Sequence, residues 1–256
     1  MVNGQPRVMC VGAHAADFAA RCAGTLAHYA NRKCAVKVVC WSYGERGESA
    51  DSWLNNPGID AEGVKAIRCT EATNAAKALG AEIEFLNFGD HPCEVTAARL
   101  ERLVTAMREF RPDLLLIHWT HDPYNTDHAI IGDACIKASR MAKVPGIHPG
   151  EEQLHFPDVY YMEGSLPLSE HSRFIPTYYV DITDTFEQKT DCMRQLKSQM
   201  FMEVRYRQLA EFRAAQIRSF TGNQGIQYAE SFARFTPWSG TLLPLFDRQE
   251  VRKFSY

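Results

Sequence analysis

The sequence predicts an α/β fold in which a mainly parallel sheet is covered by helices on both faces. Three observations lead there: four short, nearly continuous apolar runs, helical patterns between them, and a chain of 256 residues that is 45% hydrophobic and 23% charged. Strands buried on both faces lose the polar alternation of a half-exposed sheet, and an intervening helix returns the chain to start a parallel neighbour. The length suits one large α/β unit, residues 1–256, with a C-terminal helix and aromatic tail from about residue 183.

Taken in order, 7-RVMCVG-12 is the first strand, and spaced Ala and Leu residues over 18–31 form the first helix. The runs 35-AVKVVCW-41, 82-EIEFLNF-88 and 113-DLLLIHW-119 are the next three strands. Helices fall over 61–79, 95–110 and 128–142, with Gly80 and Pro112 following two of them as stop signals. The loop 144-VPGIHPGEEQLHFP-157 then leads to two short aromatic strands, 158-DVYYM-162 and 177-TYYVDI-182. Thr183 to about Phe220 reads as one long helical stretch, broken once. Residues 221–248, rich in aromatics and glycine, are expected to pack over the sheet or on a neighbouring subunit.

A net charge of −3 without a sequence-wide basic surface argues against nucleic acid and leaves a small molecule as the expected partner. The first apolar run is too short for a signal peptide, and no window reaches the roughly 18 apolar residues of a membrane span. The expected location is the cytoplasm. Cys10, Cys22, Cys34, Cys40, Cys69, Cys93, Cys135 and Cys192 are scattered without a C-x-x-C pair, which fits reduced thiols rather than a disulfide framework or a cysteine zinc site. G-x-G-x-x-G, P-loop and serine nucleophile-elbow motifs are absent, which argues against NAD, ATP and serine-hydrolase chemistry.

His14 and Asp17 fall where the first strand becomes a helix, at the carboxyl end where open α/β sheets bind ligands. Three residues apart at a helix start, their side chains converge on one point, which suits two ligands of a single metal ion. A third ligand belongs at the end of another strand, and 113-DLLLIHW-119 is followed by 120-THDPYNTDHAIIGDA-134, in which Asp127 and His128 open the next helix. His14, Asp17 and His128 make a two-histidine, one-carboxylate set with open positions for water or substrate, the pattern of a catalytic zinc ion, one per subunit. Such an ion acidifies a bound water to a pKa of about 7 or polarises a substrate oxygen. Asp127 is expected to orient a ligand.

These motifs resemble those of the PIG-L/LmbE-like family of zinc-dependent N-deacetylases, whose A-H-P-D-D-E and H-x-D-H stand here as 13-AHAADF-18 and 125-NTDH-128. The segment 68-RCTEATNAAKALG-80 resembles the family's R-x-x-E helix, and 181-DITDTFEQK-189 with 198-SQ-199 resembles its closing helix. The resemblance implies a Rossmann-like three-layer fold and metal ligands at His14, Asp17 and His128. Together with the aromatic tail it implies a homo-oligomer. It also implies a loss, because the family's general base falls on Ala16 and its catalytic histidine on Asn125. A methyl group accepts no proton and an amide is no acid near neutral pH, so amide hydrolysis lacks its usual agents. The A-H-x-A-D-F form of the first motif resembles that of a divergent hydratase branch, which implies addition of water across a conjugated carbon–carbon double bond in an oxo-tricarboxylate. The alternative is a zinc-dependent deacetylase of an amino sugar or related amide with a replacement base such as Glu48. A third reading is a metal-bearing binding protein without activity.

Hydration needs a base for water, a proton donor to carbon and stabilisation of the anion formed between the two steps. Of Glu45 and Glu48, in the loop after the second strand, Glu48 is the expected base because the resemblance puts an acidic residue there. His171, in 169-SEHSR-173, is the expected acid because histidine titrates near working pH, with His121, His148 and His155 competing for the role. Arg46, in 43-YGERGES-49, Arg68 and Arg173 are expected to grip substrate carboxylates through the planar guanidinium fork, with Asn125 as a further substrate contact. His28 and His91 read as structural, and His118 as a packed residue or a partner of a metal ligand.

Overall fold

The computed structural model describes residues 5–165, 167 and 170–237. Five strands run parallel in the order β3 (Glu82–Phe85), β2 (Val36–Cys40), β1 (Val8–Gly12), β4 (Leu114–His118) and β5 (Asp158–Met162). Beyond β5 lie β7 (Ala229–Arg234), antiparallel to it, and β6 (Tyr178–Asp181), antiparallel to β7. The mainly parallel α/β sheet that the apolar runs predict is therefore present, closed at one side by an antiparallel pair. No helix among the described residues is long and apolar enough to cross a membrane.

Strand periodicity sorts the core into two layers. Val8, Cys10, Val36, Val38 and Cys40 point to one face, packed by α1 (Asp17–Arg21), α2 (Ala23–Asn31), α4 (Ala61–Leu79) and α7 (Phe186–Arg194). Met9, Val11, Val39, Leu115 and Ile117 point to the other, under α5 (Ala97–Phe110) and α6 (Thr126–Ala142). Every residue of β1 is buried, as a central strand covered on both sides must be. The helices expected over 61–79 and 95–110 are present: Asp60 caps α4 by accepting from the Gly63 N–H at 2.8 Å, and Gly80 stops it at a φ of 73° that glycine adopts without strain. Thr96 opens α5 in the same way.

Three departures have physical causes. The helix expected over 18–31 is two helices, because the carboxylate of Glu230 accepts from the backbone N–H groups of Gly24 and Thr25 at 3.0 and 2.8 Å and starts a new helix there. Glu230 lies on β7, a strand taken from the sequence as tail; residues 238–248 of that tail lie outside the described residues. The long stretch after Thr183 is broken once, as expected, between α7 and α8 (Met202–Thr221) at a short 3-10 turn, Lys197–Gln199. An extra short helix, α3 (Ala50–Asn55), follows the loop after β2.

The chain runs outward from β1 through β2 to β3 and then restarts on the other side of β1 as β4. Neighbouring parallel strands whose connections leave in opposite directions open a crevice at their carboxyl ends. The helix α6 sits tightly over this crevice: a Cβ built on Gly132 would stand 2.4 Å from the carbonyl oxygen of His118, so only glycine allows the approach. Gly132→Ala is expected to cost about 1–3 kcal/mol and to lower the thermal midpoint by about 2–10 °C. A melting curve superimposable on the parent would mean that α6 lifts from β4 without penalty.

Candidate metal centre and active site

The crevice between β1 and β4 gathers His14 from the end of β1, Asp17 from the first turn of α1, and Asp127 and His128 from the first turn of α6. His14, Asp17 and His128 are all buried, and Glu48, from the loop after β2, closes the set with its carboxylate partly exposed. One ligand atom from each of the four lies within 4.8 Å of the others.

The spacing tests whether a cation fits. Metal–ligand bonds of about 2.0–2.1 Å in a tetrahedron put ligand atoms about 3.3–3.4 Å apart. His14 Nδ1 is 3.3 Å from His128 Nε2 and 3.2 Å from Glu48 Oε1. His128 Nε2 is 3.2 Å from Asp17 Oδ1 and 3.6 Å from Glu48 Oε1. The outer ring nitrogens are also held by carboxylates: His14 Nε2 is 3.4 Å from Asp127 Oδ2, and His128 Nδ1 is 3.2 Å from Asp122 Oδ2. These partners assign the tautomers that leave His14 Nδ1 and His128 Nε2 free to bind a metal, as in carboxylate–histidine–metal arrangements. The donor set fits a small divalent ion.

The electrostatics of the cluster without a cation lead to the same conclusion. Burial opposes charge on His128, yet Asp17, Asp122 and Glu48 outweigh it and lift its pKa to about 9. Burial also opposes charge on His14, and Glu48, Asp127 and Asp17 hold it well above the ordinary histidine range. Burial and the neighbouring His128 push His118 down to about 4, so it is neutral; it stacks on His128 at 4.1 Å and lies 2.9 Å from Asp17 Oδ2. His118 thus positions the Asp17 carboxylate.

The loop carrying Glu48 is fixed by Asp90, whose carboxylate accepts from the N–H groups of Arg46 and Gly47 at 3.1 and 2.7 Å. Glu45 turns away and lies buried 3.9 Å from Lys65. Asn125 Nδ2 stands 3.1 Å from Glu48 Oε1 and 3.1 Å from His128 Nε2, so the amide steadies the glutamate. Beside the cluster opens a cavity of about 320 Å³ bordered by Ala16, Arg21, Glu48, Asn125, Gln199 and Arg205 among others, a size that suits a small organic substrate.

Of the arginines expected to bind substrate, none borders this cavity. Arg68 is fully buried and donates to Glu71, Gln199 and the Tyr43 carbonyl at 3.3, 3.0 and 3.2 Å. Glu71 accepts from the Ser198 N–H and hydroxyl, both at 2.9 Å. The R-x-x-E helix therefore holds the 198-SQ-199 turn in the cavity wall, a structural task that spacing alone does not reveal. Arg46 is exposed, with its guanidinium on the His91 carbonyl at 3.3 Å. Arg173 is exposed, and His171 is exposed on the 3-10 turn Glu170–Ser172. Asp122, Arg21 and Arg205 are site residues that the sequence reading did not name; the T-H-D start of the His128 motif carried the signal for the first of them.

Residues 9–139 match the family model described as GlcNAc-PI de-N-acetylase, PIG-L. The chain is 34% identical to 4-oxalmesaconate hydratase of Pseudomonas putida over 91% of its own length and 90% of that protein. The chain belongs to the PIG-L family. The crystal structure of GalB, the 4-carboxy-2-hydroxymuconate hydratase of Pseudomonas putida, superposes with a TM-score of 0.88 at 33% identity, covering 93% of this chain and all of that one. N,N'-diacetylchitobiose deacetylase of Pyrococcus horikoshii shares the fold, with a TM-score of 0.75 at 22% identity over 90% of this chain and 84% of that one. In this PIG-L chain His14, Asp17, Glu48 and His128 form a cluster that could hold a metal ion, and Ala16 lines the cavity beside it.

Because both ligand imidazoles are protonated near neutral pH without a cation, and a metal binds only the neutral ring, loading releases protons and tightens as pH rises towards about 9. Calorimetric titration with zinc chloride is expected to give proton release and weaker binding at about pH 6 than at about pH 8. Uptake that is independent of pH and releases no proton would mean that these histidines are not the ligands.

Proposed function

We propose that this chain is a metal-dependent hydro-lyase that adds water to the double bond of 4-oxalomesaconate to give 4-carboxy-4-hydroxy-2-oxoadipate, a step of gallate and protocatechuate catabolism. One observation carries the reading: an intact metal-ligand set stands beside alanine in place of the deacetylase base, in a chain that resembles a hydratase over nine-tenths of its length. The names 4-oxalmesaconate and 4-carboxy-2-hydroxymuconate, carried by the two relatives, describe keto and enol forms of one tricarboxylate.

Zinc, one ion per subunit, is the metal proposed for His14, Asp17 and His128, and when bound it supplies positive charge that stabilises oxygen gaining negative charge in the reaction. Glu48 is the base. It is the most exposed member of the cluster, with a side chain 18% exposed against 4% or less for the other three, and Asn125 holds its Oε1. Its carboxylate takes a proton from water, the hydroxyl goes to the carbon that bears a carboxylate in the product, and a proton goes to the adjacent carbon. His171, on the same β5–β6 connection as Ser165, is assigned as that proton donor. The eight free cysteines support a cytoplasmic location, and the exposed apolar residues Leu54, Met200, Phe201 and Val204 support a homo-oligomer built from one α/β unit per chain.

Zinc-loaded protein is expected to consume 4-oxalomesaconate, followed by ultraviolet absorbance, and to release no acetate from N-acetylglucosamine derivatives. Glu48→Gln is expected to lower kcat by about 10²–10⁴-fold with the metal retained, whereas His14→Ala loses both metal and turnover. Absence of turnover above the His14→Ala control would sink the hydratase reading. In His171→Ala one limb of the pH–rate profile is expected to disappear; an unchanged profile removes His171 from the mechanism.

A further inference from the structure

The cavity has a second wall that takes no part in these proton transfers. Arg21, the last residue of α1, is only 8% exposed and lines it, and Arg205 on α8 lines it as well. Both guanidinium groups converge on one residue: Arg21 Nη2 donates to Ser165 Oγ at 3.3 Å, and Arg205 Nη2 donates to the Ser165 carbonyl at 2.6 Å. Arg21 Nη1 donates to the carbonyl of Glu163.

What these cations lack is a carboxylate at hydrogen-bond distance. Among the described residues the buried basic side chains are Arg21, Arg68, Arg108, Lys189 and Arg213. Arg68 has Glu71 at 3.3 Å, Arg108 has Glu151 at 3.1 Å, Lys189 has Glu230 at 2.6 Å, and Arg213 is bound to Glu163. Arg21 alone of the five has no carboxylate oxygen at hydrogen-bond distance: Asp17 Oδ1 is 3.7 Å from its Nε, and that Nε has no hydrogen-bond partner among the described residues. Arg205 forms no ion pair among the described residues. A buried guanidinium with a spare donor is costly unless an anion completes it. The cavity also borders the carboxylates of Asp17, Glu48 and Asp51, which repel a polyanion unless the cations that line the same cavity outweigh them.

We infer that Arg21, which stands 3.4 Å from His128 Nδ1 beside the metal cluster, and Arg205 form a carboxylate clamp that seats a substrate carboxylate in the cavity and selects polyanionic substrates over neutral amides. The identity of the substrate rests on the hydratase reading; the anion site rests on these two cavity-lining arginines and the spare donor of Arg21. A neutral amino sugar entering this cavity leaves the Arg21 donor unsatisfied, and unpaired buried polar groups are what makes such sites discriminate.

The test is calorimetric binding of tricarballylate, an unreactive tricarboxylate, to zinc-loaded protein, alongside steady-state kinetics with 4-oxalomesaconate. Wild type is expected to bind tricarballylate saturably and more weakly as salt rises, and not to bind its trimethyl ester. Arg21→Gln is expected to weaken binding by about 10- to 150-fold and to raise KM more than it lowers kcat, with zinc content retained. Arg205→Gln, on a partly exposed side chain, is expected to shift both in the same direction by less and decides the matter if Arg21→Gln does not fold. Tricarballylate binding unchanged in the folded variants, or absent from wild type, overturns the clamp. Turnover with an unmoved KM would leave the hydratase standing without the clamp; Arg21-dependent tricarballylate binding without turnover would leave the clamp standing without the hydratase.

Discussion

Parallel pairing of β1 with β4, Val8 opposite Leu114 through Cys10 opposite Leu116, is the constraint on which the site depends. It brings together the carboxyl ends of two strands that are about a hundred residues apart in the chain, and the helices that follow them deliver His14 and Asp17 from one side and Asp127 and His128 from the other. Apolar burial on both sheet faces sets the pairing, and Gly132 allows α6 to come close enough for His128 to reach His14. A small displacement of α6 would separate ring nitrogens that now stand 3.3 Å apart.

That convergence creates an electrostatic problem which a cation solves. Asp17, Glu48, Asp122 and Asp127 crowd two buried imidazoles, and burial makes each charge expensive unless it is paired. Protons on the imidazoles compensate the carboxylates when no metal is present, and a dication does so more fully while fixing geometry. In the same small volume a methyl group stands at Ala16 and an amide at Asn125, and the most exposed carboxylate of the cluster is that of Glu48. The cations Arg21 and Arg205, which line the same cavity, carry the opposite charge.

Long-range polar contacts hold the periphery of the site to the sheet. Arg68 and Glu71 on α4 grip Ser198 and Gln199, and Glu230 on β7 binds Lys189 together with the first N–H groups of α2. Each is a buried group satisfied by a distant segment, which fixes where the C-terminal third of the chain lies against the N-terminal two-thirds. These contacts account for polar residues inside elements that are otherwise apolar.

Local pattern carried much of the information. Continuous apolar runs are legible as central parallel strands because burial on both faces demands nothing but apolar side chains, and His14, Asp17 and His128 are legible because metal chemistry demands those residue types at the ends of strands. The strand 229-AESFAR-234 was hidden by Glu230 and Ser231, whose partners are elsewhere in the chain, and the break at Cys22 was hidden because its cap comes from the same distant glutamate. Arg46, Arg68 and Arg173 carry the right charge for a tricarboxylate, yet the tertiary structure turns the first and last to solvent and pairs the second with Glu71. Arg21 carries no local signal in the sequence, and the fold buries it beside the cavity with its Nε lacking a hydrogen bond. The sequence by itself therefore determined the layered α/β architecture and the residue types of the cluster that could hold a metal, since both are written in residue type and local spacing. The tertiary structure alone decided which cations line the cavity, because an arginine's partner is set by what the fold places around its guanidinium.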